Sequence, residues 1–213
     1  MDSPDTSTAP AAGIGLRRRL IGAGLVGLTG SLLPTFATRS SATAPPTTPT
    51  TSEAPRRPTT DDVELLAFAQ TVELAAVALY DGALGSGILG EANTSVVRSI
   101  RQSHLAYGQS LSALLGRPAP GVADRLVVDA YLDAFSTGSE ASIATAAVEL
   151  ENVANATHLD ILGQLSGLEG AQLTAAIAAM EARHAVVFAD IAGESDLDVL
   201  LTNEAEALAP GEG

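Results

Sequence analysis

MEARHAVVF, residues 180–188, poses the question that decides the fold. The run is alanine and bulky apolar residues, yet it carries Glu181 and His184 three positions apart. In a helix, residues three and four apart share a face. Ile177, Glu181, His184, Phe188 and Ile191 follow that spacing and form one stripe, with both ionisable groups in its middle. A solvated pair would sit on the opposite face. The spacing therefore predicts that Glu181 and His184 face a core.

The same pattern recurs upstream. A helix is expected over residues 61–84, with Asp61 and Glu64 spaced as a capping box and Gly82 and Gly85 at its end. A second runs over 94–115, opened by Asn93 or Thr94 and stopped by Gly116-Arg117-Pro118. A long connection over 119–136 has room for a short helix. A third helix starts at Thr137-Gly138-Ser139-Glu140, spaced as a capping box, and reaches about residue 165. The fourth starts at Ser166-Gly167-Leu168-Glu169 and ends before Gly193. The acidic tail after residue 194 is expected to be loose, with one helical turn over 196–202.

Each helix has its own mixed stripe. On the first it is Leu66, Ala69, Glu73, Ala76, Tyr80 and Leu84. On the second it is Val97, Ile100, Arg101, His104, Leu111 and Leu115. On the third it is Ala144, Val148, Glu151, Ala154, His158 and Leu162, with Glu149 on the far side. All three histidines of the chain lie on these stripes. Isolated buried carboxylates are costly, so a converging set needs protons, partners or a metal. Carboxylate beside imidazole suits iron, manganese or zinc. Tyr80 and Tyr107 read as packing residues, and His158 as a core histidine donating to a backbone carbonyl.

Composition agrees with an all-α chain. The 213 residues suffice for one domain with a full core. Hydrophobic residues make up 46% and aromatics 3%, with alanine prominent, which favours helix over sheet. The net charge of −14, with arginine as the sole basic residue type, argues against nucleic acid and anionic membrane surfaces as partners. The absence of cysteine excludes disulfides, iron–sulfur clusters and thiolate metal sites.

The amino terminus reads as a targeting segment. Arg17-Arg18-Arg19 precedes an apolar run over 20–33, with a small-residue cleavage site at Thr35-Phe36-Ala37. Arg17-Arg18-Arg19-Leu20-Ile21 resembles a twin-arginine export signal, although Leu16 stands where Ser or Thr is usual. The expected layout is a signal peptide over 1–37, a disordered Thr/Pro-rich linker over 38–60, a bundle over 61–193 and an acidic tail over 194–213. The product would be exported to the periplasm, cell wall or outside. Membrane contact would arise only through an uncleaved signal.

Two short connections and one long one suit a four-helix bundle with a single crossover. On AQTVELAAVALYDGAL around Glu73, VELENVANATHLDIL around Glu151 and AAMEARHAVVFADI around Glu181 and His184, the chain resembles the ferritin-like superfamily, in particular small exported bacterial members. The resemblance implies a metal site built from one Glu on the first helix, Glu-x-x-His on the second, one Glu on the third and Glu-x-x-His on the fourth. Matched by position, Glu73, His104, Glu151, Glu181 and His184 would be the ligands. The second helix departs from the pattern: it reads Arg101-Gln102-Ser103-His104, so Arg101 stands where a glutamate is expected. An inward Arg101 would take the place of a second metal; an outward one would leave the site a carboxylate short. The resemblance thus implies one or two Fe or Mn ions, with oxidase, peroxide-scavenging or catalase-like chemistry. A non-catalytic, metal-free envelope bundle is the alternative. As an assembly it allows a homodimer, whereas a tethered, tailed chain argues against a cage.

Overall fold

The computed structural model describes residues 53–210. The export signal over 1–37 and residues 38–52 of the linker lie outside the described residues. Six helices follow in order: α1 Thr60–Ser86, α2 Glu91–Leu115, α3 Arg125–Ser136, α4 Glu140–Gln164, α5 Leu168–Ala192 and α6 Leu197–Leu201. There is no strand among the described residues. α1 packs on α2 and α4 on α5, and the two hairpins meet through α1–α4 and α2–α5. The loops inside each hairpin are short, and the crossover from α2 to α4 carries α3. This is the expected all-α, four-helix, single-crossover bundle.

The caps differ from those read in the sequence. α1 is capped by Thr59, whose side chain accepts from the Asp62 N–H while Asp62 accepts from the Thr59 N–H. Asp61 and Glu64 are thus not its capping box. α2 begins at Glu91 with Gly90 as N-cap and no side-chain cap. Glu140 caps no residue of its own helix. Its carboxylate accepts the Gly90 N–H at 2.8 Å, tying the start of α4 to the start of α2. α4 is capped by Ser139 through Ser142. α5 stops as expected at Gly193, whose backbone is left-handed, whereas α1 runs through Gly82 and Gly85 and stops at the left-handed Gly87.

α5 begins with Gly167 as N-cap, and its free N–H groups are met from a distance. The Leu168 and Glu169 N–H groups donate to the Pro55 and Arg56 carbonyls, each at 2.9 Å. The Ser166 and Gly167 N–H groups donate to the Asp62 carboxylate, each at 2.8 Å. This end of the Thr/Pro-rich segment is therefore tied to the bundle. A Cβ at Gly167 would fall 2.6 Å from the Arg57 carbonyl oxygen, so close backbone approach requires glycine there.

Asp62 is a buried latch. Burial alone would raise its pKa, but backbone N–H donors from Ser166, Thr59 and Gly167 outweigh that and hold it below its ordinary 3.8. A lowered carboxylate contributes stability above its unfolded pKa and loses it as pH falls through the folded value. Asp62→Ala is expected to cost about 2–3 kcal/mol near neutral pH by orphaning these donors. Urea unfolding from pH 7 to 2 is expected to show the gap to wild type shrinking below about pH 4.

Two apolar clusters fill the interior. One holds Leu79, Val97, Ile100, Phe135, Ile143, Leu150 and Phe188. The other holds Leu66, Val72, Leu111, Ile161 and Ile177. Glu73, His104, Glu151 and Glu181 fall between them along every long helix. The acidic tail is not loose. The Asn203 side chain donates to the Asn152 carbonyl at 2.9 Å, and the Leu208 N–H donates to Thr157 Oγ1 at 2.9 Å. The expected helical turn is α6.

Candidate metal centre

The polar layer is a single chain of alternating imidazoles and carboxylates. His184 Nδ1 lies 3.3 Å from Glu151 Oε2. Glu151 Oε1 lies 3.0 Å from His104 Nε2, and His104 Nδ1 lies 2.8 Å from Glu73 Oε2. Glu73 Oε1 lies 3.5 Å from His158 Nε2. His158 Nδ1 then lies 2.9 Å from Glu181 Oε1 and 3.1 Å from Glu181 Oε2, with hydrogen-bond geometry to the second. All six side chains are buried, and His184 is the most open at 6% exposure.

The helices place these groups for simple reasons. Glu73 from α1, His104 from α2, Glu151 and His158 from α4, and Glu181 and His184 from α5 all sit on their helices' inward stripes. Glu151 and His158 are seven residues apart, two turns along one face. Alanines at 75, 76, 144, 147, 154, 178 and 185 line the same interior, and small side chains leave room for long polar ones.

All five residues matched through the resemblance converge. His104, Glu151 and His184 each offer an atom within 4.8 Å of the others, and so do Glu73, His104 and Glu181. Two further residues join them. His158 donates to the Ala154 carbonyl at 3.0 Å, as expected, but also stands between Glu73 and Glu181. Tyr80 is more than packing: its O–H donates to Glu151 Oε1. Its ring stacks on Phe188 with centroids 5.4 Å apart and an 8° tilt. The sequence held a signal for both, because each lies on an inward stripe. Tyr107 is only half-buried, edge-on to His104.

Arg101 turns outward. It forks onto Asp81 of α1, with Nε 2.9 Å from Oδ1 and Nη2 2.8 Å from Oδ2. The guanidinium therefore does not stand in for a cation in the core. Position 101 begins the turn that ends at His104, and the long side chain leaves the inward stripe to reach an exposed carboxylate.

Charges in the layer are strongly coupled. Burial alone would raise the Glu151 carboxyl, but His104 and then His184 outweigh it and bring it down to about 2. Burial would lower His104, yet Glu151 and Glu73 hold it well above the ordinary imidazole range. His158, lowered by burial but raised by Glu181 and Glu73, comes to about 9. Burial raises Glu181 against the opposing pull of His158. Burial, then Glu151, raises the Tyr80 phenol well above its ordinary value.

Five atoms of the layer have no hydrogen-bond partner although fully enclosed: Glu73 Oε1, Glu151 Oε2, His158 Nε2, Glu181 Oε1 and His184 Nδ1. Buried polar atoms are nearly always satisfied. Carboxylate oxygens and imidazole nitrogens are also the donors that first-row metals take. A cleft of about 440 Å³ lies elsewhere, between α4, α5 and the α6 segment, and none of the six side chains lines it.

Comparison with known proteins matches the chain to one family. A ferritin-like domain model covers residues 41–194. Neither the curated proteins nor the solved structures gave a match. The crossover bundle and its buried Glu/His layer agree with that match, and the chain belongs to the ferritin-like domain family.

Proposed function

We propose that the protein is an exported ferritin-like bundle that binds iron or manganese in its core. The observation that carries this reading is the set of five unpartnered donor atoms inside an otherwise hydrogen-bonded Glu/His chain. Glu73, His104, Glu151, Glu181 and His184 would hold the metal. With their imidazoles neutral, the three carboxylates would offset the charge of a bound divalent ion. The donor set of oxygen and imidazole suits Fe and Mn. When bound, a redox-active ion would supply electron-transfer chemistry toward oxygen or peroxide.

The protein's own groups prepare that site. The Ala154 carbonyl takes the Nδ1–H of His158 and so fixes which nitrogen has its lone pair free. Tyr80 holds one oxygen of Glu151 and leaves the other free. The two apolar clusters exclude water on both sides. Entry falls to the His184 side, where the layer is least covered. Arg17-Arg18-Arg19-Leu20-Ile21 supports export, by a route that carries proteins already folded.

A second reading has its own support. His104 is hydrogen-bonded at both nitrogens, and protonated His104 and His158 would offset much of the carboxylate charge. A metal-free bundle of that kind would serve interaction or protection without chemistry. Metal analysis separates the two. Protein produced with added iron and manganese is expected to carry stoichiometric metal, and Glu181→Ala and His184→Ala are each expected to reduce it at least about tenfold. Wild-type protein free of metal under those conditions favours the second reading.

A further inference from the structure

We propose that the cleft between α4, α5 and the α6 segment binds a small aliphatic amine, with its chain against an alanine and valine wall and its ammonium group at the C-terminal end of α5. The proposal is independent of the metal reading, because none of the six side chains of the polar layer lines this cleft.

The shape comes first. A volume of about 440 Å³ is ample for a small molecule. The floor follows α5 through Ala182, Ala185, Ala189 and Ala192, whose spacing keeps them on one face. That face runs for about 15 Å of helix. Val148 and Val186 flank it, and Val199 and Leu200 close it from α6. No aromatic side chain lines the cleft among the described residues, so the wall suits an aliphatic chain rather than a stacked ring. One end is pinned shut by amides. The Asn203 side chain donates to the Asn152 carbonyl at 2.9 Å and to Asn155 Oδ1 at 3.1 Å. Asn155, buried in its turn, donates to the Ala178 carbonyl of α5 at 2.7 Å. These bonds fix the tail against both helices, so the cleft is preformed.

The other end is negative. The α4–α5 hairpin brings the start of α4 to the end of α5, so Glu149 and Glu194 line the same end of the cleft. Glu194 Oε1 accepts the Ser195 and Asp196 N–H groups at 2.7 Å each, which orients that carboxylate. The last turn of α5 has no basic residue, so the negative end of its dipole adds to the two carboxylates. No arginine or histidine side chain lines the cleft among the described residues. An anionic head group would meet only like charge there. An ammonium group is attracted by both carboxylates and by the helix end.

Titration of the full chain with octylammonium, octanol and octanoate tests this, read by calorimetry and by nitrogen-15 amide shifts. Octylammonium is expected to bind once per chain, to shift residues 182–193 and 199–203, and to bind about tenfold more tightly than octanoate. Glu149→Gln with Glu194→Gln is expected to weaken octylammonium about fivefold and to leave octanol unchanged. Both side chains are exposed, so that variant keeps its fold. Val186→Trp fills the cleft from an exposed position and is expected to abolish binding of all three. Octanoate binding as tightly as octylammonium overturns the proposal, and so does an amine preference that survives in the double glutamine variant. Shifts confined to other parts of the chain, or no binding of the amine, also overturn it. So does a dimer that buries these residues and leaves them unmoved by the amine.

Discussion

Glu151→Ala is expected to abolish metal binding and to destabilise the metal-free protein by about 3–5 kcal/mol, as removal of one partner from a buried charged network does. Glu151 is fully buried and serves three neighbours. It accepts from Tyr80 and pairs with His104 on one oxygen, and it faces His184 with the other. Alanine would leave the Tyr80 hydroxyl and one nitrogen of His104 unsatisfied in a dry interior, each at about 1–3 kcal/mol. It also removes the carboxylate that does most to raise His104 against the effect of burial. Glu151→Gln separates the two effects. Its amide keeps an acceptor for Tyr80 and fills the same space, so its stability cost is expected to be the smaller. It gives up the carboxylate charge, so metal is expected to be lost all the same. Urea unfolding of the metal-stripped proteins, beside metal analysis of the loaded ones, checks both halves. Equal stability of Glu151→Ala and wild type would contradict the network described here.

Phe188→Ala carries the other large effect. Phe188 is 1% exposed and stacks flat on Tyr80. Phe135 of α3 meets the same tyrosine edge-on, with centroids 5.4 Å apart. Truncating a buried phenylalanine costs about 3–5 kcal/mol through lost burial and the cavity left behind. The cavity here would open beside the ring whose hydroxyl holds Glu151. Metal affinity is therefore expected to fall about tenfold, the scale of an outer-shell defect, without being abolished. Phe188→Leu fills most of the space and is expected to restore much of both quantities. Thermal unfolding and competitive metal titration read the two losses. A full loss of metal in a folded Phe188→Leu would mean that Phe188 acts on the site in some way other than by packing.

Period and punctuation made most of the fold legible. The stripe from Ile177 to Ile191 named the inward face of α5, and its Glu181 and His184 are both in the core. Gly193 marked the end of that helix, because a left-handed residue there leaves few alternatives. Helix starts were less legible, because long-range contacts took over roles that local spacing suggested. Glu140 has the spacing of a capping box but serves Gly90, fifty residues away. Asp62, hidden beside Asp61, gathers donors from residues 166 and 167 as well as from its own helix.

The site was legible in residue type and face but not in pairing. Helical period put Arg101 and His104 on one stripe, since a 3.6-residue repeat cannot separate a long side chain's root from its tip. The Arg101 root borders the core, and its guanidinium leaves it for Asp81. His158 was on the stripe as well. Its role depends on Glu73 and Glu181, which arrive from two other helices, and no spacing within α4 contains that information. Tyr80 is the same case, with Glu151 seventy-one residues away as its partner.

The central claim is that the metal sits inside the bundle, between the two apolar clusters. Anomalous diffraction at the iron or manganese edge from crystals of metal-loaded protein tests it most directly. The account predicts strong anomalous density bounded by Glu151, His184 and Glu181. Density confined to surface carboxylates, with Glu151 and His184 still facing each other and no peak between them, would contradict it.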